Sequence, residues 1–148
     1  MSKPVIVPFE TTLLVRDNCL CLHVQRAARA LARRFDDALR HLDLTSGQFS
    51  LLMSLNRPTP PNKGQVASLL AMDHSTLTAN LKPLERRGLV AVSVDPDDRR
   101  SRRLSLTPAG RSVLADAVPV WEATHAAVEA QLAGADADRL RADLQALA

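Results

Sequence analysis

The spacing of apolar residues predicts a chain built mostly of amphipathic helices. Apolar positions recur every three or four residues from about residue 11 to residue 41, which predicts one long first helix. Thr45 and Gln48 have the spacing of a capping box and open a second helix, which ends at the proline-rich loop of residues 57–61. Another long helix is predicted to start after Thr107 and to be followed by a last amphipathic helix.

Two shorter patterns between these segments predict a helix-turn-helix. Residues 65–70 carry apolar side chains on one face of a short helix, and Asp73 follows as a residue that favours helix caps. A second helix is predicted over residues 75–87, because three leucines fall within one narrow stripe of its surface: Leu77, Leu81 and Leu84. Pro83 predicts a bend in this helix and not its end, since the apolar pattern continues, and Gly88 is predicted to end it.

The opposite side of this second helix is small, polar and basic. Hydroxyl groups near the start of a helix can approach base edges and thymine methyl groups, and cations further along can reach phosphates. We therefore expect DNA contacts from residues on or beside this face, namely Ser75, Thr76, Thr78, Lys82 and Arg86.

A charged turn between two alternating apolar runs predicts a β-hairpin after the helix. The apolar residues before and after the turn have the period of half-buried strands: Val90, Val92 and Val94, then Leu104 and Leu106. Four arginines of the turn are expected to project and to contact the DNA backbone or a narrow minor groove: Arg99, Arg100, Arg102 and Arg103. The order helix, turn, helix, glycine and charged hairpin predicts a mainly α fold with a small β-hairpin wing, a winged helix-turn-helix.

Four segments of this region form a recognisable combination: Ser75-Thr76-Leu77-Thr78, Leu84-Glu85-Arg86-Arg87-Gly88, Asp98-Arg99-Arg100 and Leu106-Thr107-Pro108-Ala109-Gly110. Together they resemble the MarR family of bacterial transcription regulators, and the resemblance covers essentially the whole chain. It implies a homodimer that acts mainly as a repressor and is released from double-stranded DNA by a small anion, a phenolic compound or an oxidant. It also implies that the Asp98 carboxylate braces the wing and that Arg100 enters the minor groove. Two positions depart from the pattern, because Ala79 stands where arginine is frequent and Pro83 lies inside the recognition helix.

Composition and charge agree with a DNA-binding protein and disfavour other classes. The net charge of +3 divides unevenly, since residues 1–111 contain 17 basic and 10 acidic side chains while residues 112–148 contain 2 and 6. No apolar run is long enough to span a membrane, and we expect a cytoplasmic protein. The sequence has no glycine-rich phosphate loop, nucleophile elbow or paired carboxylates in an apolar setting, so we expect neither an enzyme nor a cofactor.

The outer helices have larger apolar faces than one small DNA reader can cover, which predicts a homodimer. We expect one compact chain with three parts: an N-terminal dimerisation helix in residues 1–44, the winged helix-turn-helix in residues 45–107, and C-terminal dimerisation helices in residues 108–148. A twofold dimer presents two recognition helices to successive major grooves, so the operator is expected to be roughly palindromic, with half-sites about 34 Å apart.

The candidates for sensing are Cys19, Cys21 and His23, near the start of the first predicted helix. In a continuous helix, residues 19 and 23 share a face, whereas the two thiols point apart and cannot form a disulfide. Asn18 and Cys21 resemble the reactive-cysteine region of the organic hydroperoxide regulators, although this chain has no tyrosine to stabilise the thiolate. Oxidant sensing, binding of a metal or metalloid, and inert cysteines all remain open.

Two further functional readings remain open from the sequence. The resemblance implies a small-molecule pocket where the dimerisation helices meet the DNA reader, for which His23, Arg16 and Gln48 are candidate polar residues. The alternative is an architectural DNA-binding protein that has no effector and little sequence preference. Such a protein lacks the large affinity ratio between operator and random DNA that a specific repressor keeps.

Overall fold

The computed structural model describes residues 4–148, and over this range it is mainly helical with one two-stranded hairpin. The predicted fold class is confirmed. In chain order the elements are α1 (Phe9–Asn18), α2 (Leu20–Leu39), α3 (Ser46–Ser54), α4 (Lys63–Leu69), α5 (His74–Arg86), β1 (Val90–Val94), β2 (Arg102–Leu106), α6 (Pro108–Gln131) and α7 (Ala137–Leu147), with a short 3₁₀ helix (Arg40–Leu42) after α2.

The prediction of one continuous first helix is wrong, because the helix is broken at Cys19; its second part, α2, ends at Leu39 and is followed directly by the 3₁₀ helix. Cys19 has an extended backbone, with φ −72° and ψ 108°, and its Sγ atom accepts a hydrogen bond from the Leu22 amide at 3.4 Å. Asp, Asn and Cys stand together at positions 17–19, and all three are poor helix formers that compete for backbone hydrogen bonds. The thiols therefore lie at a junction between two helices and not within one continuous helix.

The core lies between α3, α4, α5, the hairpin and the start of α6. The predicted leucine stripe of α5 is confirmed, since Leu77, Leu81 and Leu84 are at most 1% exposed. The capping box of Thr45 and Gln48 is also confirmed. Burying each of these leucine side chains stabilises the fold by about 1.5–3 kcal/mol, so the stripe fixes α5 on the core and leaves its other side outward.

The predicted hairpin is confirmed, and its strands pair antiparallel with Val90 opposite Leu106 and Val92 opposite Leu104. A third segment joins its inner edge, because the Leu104 amide donates to the Pro61 carbonyl at 2.9 Å. The wing is thereby attached to the loop that precedes α4, and it is not an isolated two-stranded ribbon, which is marginally stable alone.

Both interior prolines lie within helices that continue past them. α5 runs through Pro83 to Arg86, and α6 runs through Pro119 to Gln131. The predicted continuation of α5 is therefore confirmed, and the bend at Pro83 stays a prediction. The prediction that α5 ends at Gly88 is confirmed. Gly88 has φ +71°, and the Gly88 and Leu89 amides donate to the Glu85 and Leu84 carbonyls, which is a Schellman motif.

Large apolar side chains remain exposed on the outer helices. They are Phe9, Leu14 and Val15 on α1, Leu20, Val24 and Leu31 on α2, and Leu140, Leu144 and Leu147 on α7. α2 packs on α3 and α6 through its C-terminal half, whereas most of its N-terminal half is exposed. Within residues 4–148, no helix combines the length and the apolar character that a membrane span requires.

Candidate DNA interface

The starts of α4 and α5 are both defined by side-chain caps. Asn62 and Gln65 form a capping box at the start of α4, and Ala71 turns the chain with φ +50°. This left-handed conformation is uncommon for a residue with a side chain and reflects the tight geometry of the turn. The sequence pattern indicated the turn but not the second capping box, which Asn62 at the end of a proline-rich loop could have suggested.

Asp73 organises the start of α5. Its Oδ1 atom accepts from the Thr76 amide at 2.7 Å and from the Ser75 hydroxyl at 2.8 Å. These bonds, the Thr76 backbone bond first, lower the pKa of Asp73 below its ordinary value, so the cap stays ionised. The Ser75 hydroxyl is held in place by this bond and keeps its oxygen lone pairs available to accept from another donor.

The outward side of α5 carries most of the residues assigned to DNA from the sequence. Ser75, Thr76, Lys82 and Arg86 are exposed, whereas Thr78 is half-buried at the edge of the face. Asn80 is also exposed, and its amide approaches the Met72 sulfur at 3.5 Å. Sequence reasoning passed over Asn80, although a side-chain amide is a usual partner of adenine in the major groove.

The tip of the wing is held by backbone hydrogen bonds to Asp98. Its Oδ1 atom accepts from the Arg100 amide at 3.0 Å, and its carbonyl accepts from the Ser101 amide at 2.9 Å. The carboxylate thus contacts the main chain of Arg100 and leaves the guanidinium exposed. Arg99, Arg100 and Arg102 are all exposed, as expected for the turn.

Arg103 corrects the expectation that all four wing arginines project. Its guanidinium contacts the nearly buried Asp95 at 3.1 Å and Asp97 at 3.1 Å, and its side chain is only 25% exposed. Asp95 also accepts from the Asp97 amide at 2.9 Å. Arg103 therefore stabilises the base of the wing, because removing it would leave the Asp95 carboxylate poorly solvated.

An open cleft of about 550 Å³ separates the wing from the starts of α4 and α5. Its basic members come from three elements: Lys63, His74, Arg100 and Arg102. Lys63 and His74 were not assigned to DNA from the sequence, and they belong to the cleft because α4 and α5 both begin beside the wing. The cleft thus brings the first residue of α5, His74, beside the wing.

The sensing candidates do not form a metal site. The His23 Nδ1 atom lies 2.7 Å from the Cys19 carbonyl, and Cys21 is exposed, with the Gln25 amide donating to its sulfur at 3.3 Å. Across residues 4–148, no three His, Cys, Asp or Glu side chains are grouped so that they could hold a metal ion. This arrangement gives no support to metal or metalloid binding by Cys19, Cys21 and His23.

An apolar cleft of about 400 Å³ lies between α3, the end of α4 and α6. Phe49 and Trp121 line it, with near-parallel rings whose centres are 6.3 Å apart, and His125 stacks on Trp121 at 4.8 Å. The polar residues expected in a pocket lie elsewhere. Gln48 caps α3 through Thr45, and Arg16 contacts Asp17 at 2.7 Å, a bond that raises the pKa of this arginine.

The fold and this surface define a winged helix-turn-helix protein of the DNA-binding class. Residues 44–101 match the model of the MarR family. BadR of Rhodopseudomonas palustris, named a transcriptional activatory protein, is 35% identical over 99 residues, which are 65% of this chain and 57% of that protein. The chain spans about half the length of the curated relatives that it matches.

Solved structures extend the similarity to most of the chain. The Mycobacterium tuberculosis regulator MosR in complex with DNA has a TM-score of 0.78 and 37% identity, covering 88% of this chain and 93% of that one. Bordetella bronchiseptica BpsR, whose DNA binding is regulated by 6-hydroxynicotinic acid, has a TM-score of 0.70 and 27% identity, with coverages of 86% and 89%. The chain belongs to the MarR family, and MosR is named a transcriptional regulator.

Proposed function

We propose that this protein is a sequence-specific DNA-binding transcriptional regulator, a homodimeric repressor released from its operator by a small-molecule effector. One observation carries the DNA-binding part: the outward face of α5 is polar and exposed, and the first residue of this helix shares a cleft with Arg100 and Arg102 of the wing. A helix with this exposure fits the width of the major groove, and a basic wing fits the adjacent backbone or minor groove.

Each DNA contact is assigned by its chemistry. Ser75, Thr76 and Thr78 at the start of α5 read base edges or fix phosphates, and Lys82 and Arg86 neutralise phosphates further along the helix. In the wing, Arg99, Arg100 and Arg102 reach into the negative potential of the minor groove or its backbone, while Asp98 holds the tip. The solved complex of MosR with DNA supports DNA binding by this fold.

The homodimer is supported by the exposed apolar side chains of α1, α2 and α7. An exposed fraction of 69% for Leu20 and 65% for Leu147 is costly for isolated helices and is relieved when a second copy covers them. The dimerisation parts are residues 1–44, of which 1–3 lie outside the described range, and residues 108–148. The DNA-binding part is residues 45–107.

Salt titration of DNA affinity tests the assignments. Arg100→Ala should weaken binding by about 1–3 kcal/mol and reduce the slope of log K against log salt by about 1, because one phosphate neutralisation is lost. Arg100→Lys is the matched control and should keep the slope. Ser75→Ala should change the preference among duplexes and leave the slope unchanged, since the hydroxyl carries no charge.

Two results would contradict this proposal. If Arg100→Ala left both the DNA affinity and the salt slope unchanged, the assignment of Arg100 in the wing to the DNA interface would be wrong. An affinity ratio near unity between a selected operator and random duplex would instead favour the architectural DNA-binding alternative.

The apolar cleft beside Trp121 supports release by an effector. It lies between α3, which belongs to the DNA reader, and α6, which extends into the dimerisation part. Trp121 is the single tryptophan of the chain, so its fluorescence reports binding in this cleft directly. 6-Hydroxynicotinic acid and a series of aromatic compounds are suitable probes.

A compound that acts through the cleft should change Trp121 fluorescence and release DNA over the same concentration range. Ser50→Phe is designed to fill the cleft and should abolish both effects while DNA affinity is kept, because Ser50 lies on the cleft and away from the outer face of α5. Release that persists in Ser50→Phe would exclude this cleft as the effector site.

Oxidant sensing is the second candidate, and the break at Cys19 favours it. A hydroperoxide can oxidise the exposed Cys21 thiol to a sulfenic acid, with release of water or an alcohol, and the Cys19 thiol can then displace water to form a disulfide. That disulfide requires the first turn of α2 to unwind, and the adjoining break makes such a change local. Cys21→Ser should abolish peroxide-triggered release from DNA, and release that persists would rule this candidate out.

A further inference from the structure

The end of α5 and the turn after it are hydrogen-bonded to the N-terminal dimerisation part and to Thr107, the cap of α6, and the DNA-binding assignment does not use these bonds. On one side it meets the 3₁₀ helix (Arg40–Leu42) that follows α2, and on the other it meets the start of α6. The direction of the recognition helix relative to the dimer therefore depends on this junction. We propose that Arg87 is a positioning residue that sets this direction, an inference that rests on the proposed DNA-binding function.

The Arg87 side chain points away from the DNA-facing surface and toward the end of α2. Its Nη1 atom donates to the Asp43 carbonyl at 2.5 Å, and its Nη2 atom donates to the Leu42 carbonyl at 3.3 Å. These carbonyls lie at the C-terminal end of the 3₁₀ helix, where the chain reverses through Asp43 at φ +53°. Carbonyls at a helix end carry partial negative charge and lack intrahelical partners, so a forked guanidinium suits them better than an ammonium does.

The other side of the junction is a backbone attachment. The Thr107 hydroxyl donates to the Gly88 carbonyl at 2.6 Å, and the Thr107 amide donates to the Leu89 carbonyl at 3.1 Å. The same hydroxyl oxygen accepts from the Gly110 amide at 3.0 Å and so caps α6. The turn after α5 is thus fixed to α6, and Arg87 is the long side chain that fixes the same turn to the end of α2.

Arg86 and Arg87 stand next to each other but have different roles. Arg86 lies on the outer face of α5 with Lys82, whereas the guanidinium of Arg87 is engaged with two carbonyls 44 and 45 residues earlier in the chain. Without Arg87, α5 keeps its leucine stripe and its attachment to α6, and it loses the polar contact that fixes its inclination to α2. In a twofold dimer, a change in that inclination alters the separation of the two recognition helices and hence the half-site spacing that the dimer accepts.

The test compares half-site spacing selectivity with salt dependence in three variants. An operator obtained by selection is prepared with its half-sites at the original spacing and with one base pair added or removed. In Arg87→Lys and Arg87→Gln, the ratio of Kd values between altered and original spacings should fall by about threefold or more, because the orienting hydrogen bonds are lost. The salt slope should stay at the wild-type value in both.

Arg86→Gln is the matched control and should behave in the opposite way, with a slope lower by about 1 and an unchanged spacing ratio. Thermal unfolding checks that each variant is folded. If Arg87→Gln does not fold, Arg87→Lys carries the test, because lysine retains the charge and most of the aliphatic stem.

Two results would overturn the inference, and a third would refute the function on which it rests. A reduced slope in Arg87→Gln that Arg87→Lys restores would make Arg87 a phosphate contact. A ratio of Kd values between altered and original spacings that stays at the wild-type value in both variants would show that the Arg87 hydrogen bonds do not set the direction of α5. Failure of the wild-type protein to bind the duplex at any spacing would refute the proposed function. This outcome is distinguishable from failure of the inference, because it is seen without any variant.

Discussion

Gly110→Ala tests the junction between the DNA reader and α6 most severely. A Cβ atom at residue 110 would lie 2.1 Å from the Leu89 carbonyl oxygen and 3.0 Å from its carbon. Even a weak C–H···O contact needs about 3.3 Å between carbon and oxygen, so the start of α6 must move by roughly 1 Å. That shift breaks the two Thr107 hydrogen bonds to the turn after α5, which contribute about 1 kcal/mol each, and adds a packing cost of about 1–3 kcal/mol.

We therefore expect Gly110→Ala to lower the free energy of unfolding by about 2–4 kcal/mol, after allowing for the better helix propensity of alanine. Urea unfolding followed by circular dichroism, at one fixed protomer concentration, measures this change. Gly47→Ala is the matched control, because Gly47 also lies in the first turn of a helix and its nearest neighbour is 4.0 Å from the new Cβ. Equal stability of the two variants would refute the argument.

Three further predictions concern the core, the cap and the wing. Leu81→Ala should lower the free energy of unfolding by about 2–5 kcal/mol in the same urea assay, because the side chain is only 1% exposed and leaves a cavity. Asp73 has a lowered pKa when folded, so its stabilising contribution is present above the unfolded value of about 3.9 and is lost as pH falls through the folded value. Melting temperatures between pH 6 and pH 3 should therefore fall less in Asp73→Asn, and an equal fall would contradict this. Arg103→Gln should increase proteolytic cleavage at the wing, because Asp95 loses its partner, whereas Arg99→Gln should leave the cleavage rate unchanged.

The parts of the fold that follow from local patterns were predictable from the sequence. The stripe formed by Leu77, Leu81 and Leu84 repeats with the helix period, and the alternation of apolar residues predicted the two strands on either side of the charged turn. Asp73 and Gly88 mark the ends of the recognition helix by the chemistry of their own side chain and backbone. These features need no knowledge of distant contacts.

The parts that depend on contacts distant in sequence, or on competition among local bonds, were not predictable. Arg103 looks like its neighbours in the turn, and only the folded strand brings it to Asp95 and withdraws it from the exposed group. Arg87 continues a basic pair in the sequence, and its partners at Leu42 and Asp43 become neighbours only through packing. The break at Cys19 arises where side-chain capping outcompetes a helix that periodicity alone would continue.

Selection of bound sequences from random duplex DNA tests the central claim most directly. If two copies present α5 and its wing to one face of the duplex, the recovered sequences should contain an inverted repeat whose half-site centres are about 34 Å, one helical turn, apart. Recovery of no common sequence, or of a single half-site without symmetry, would contradict the account.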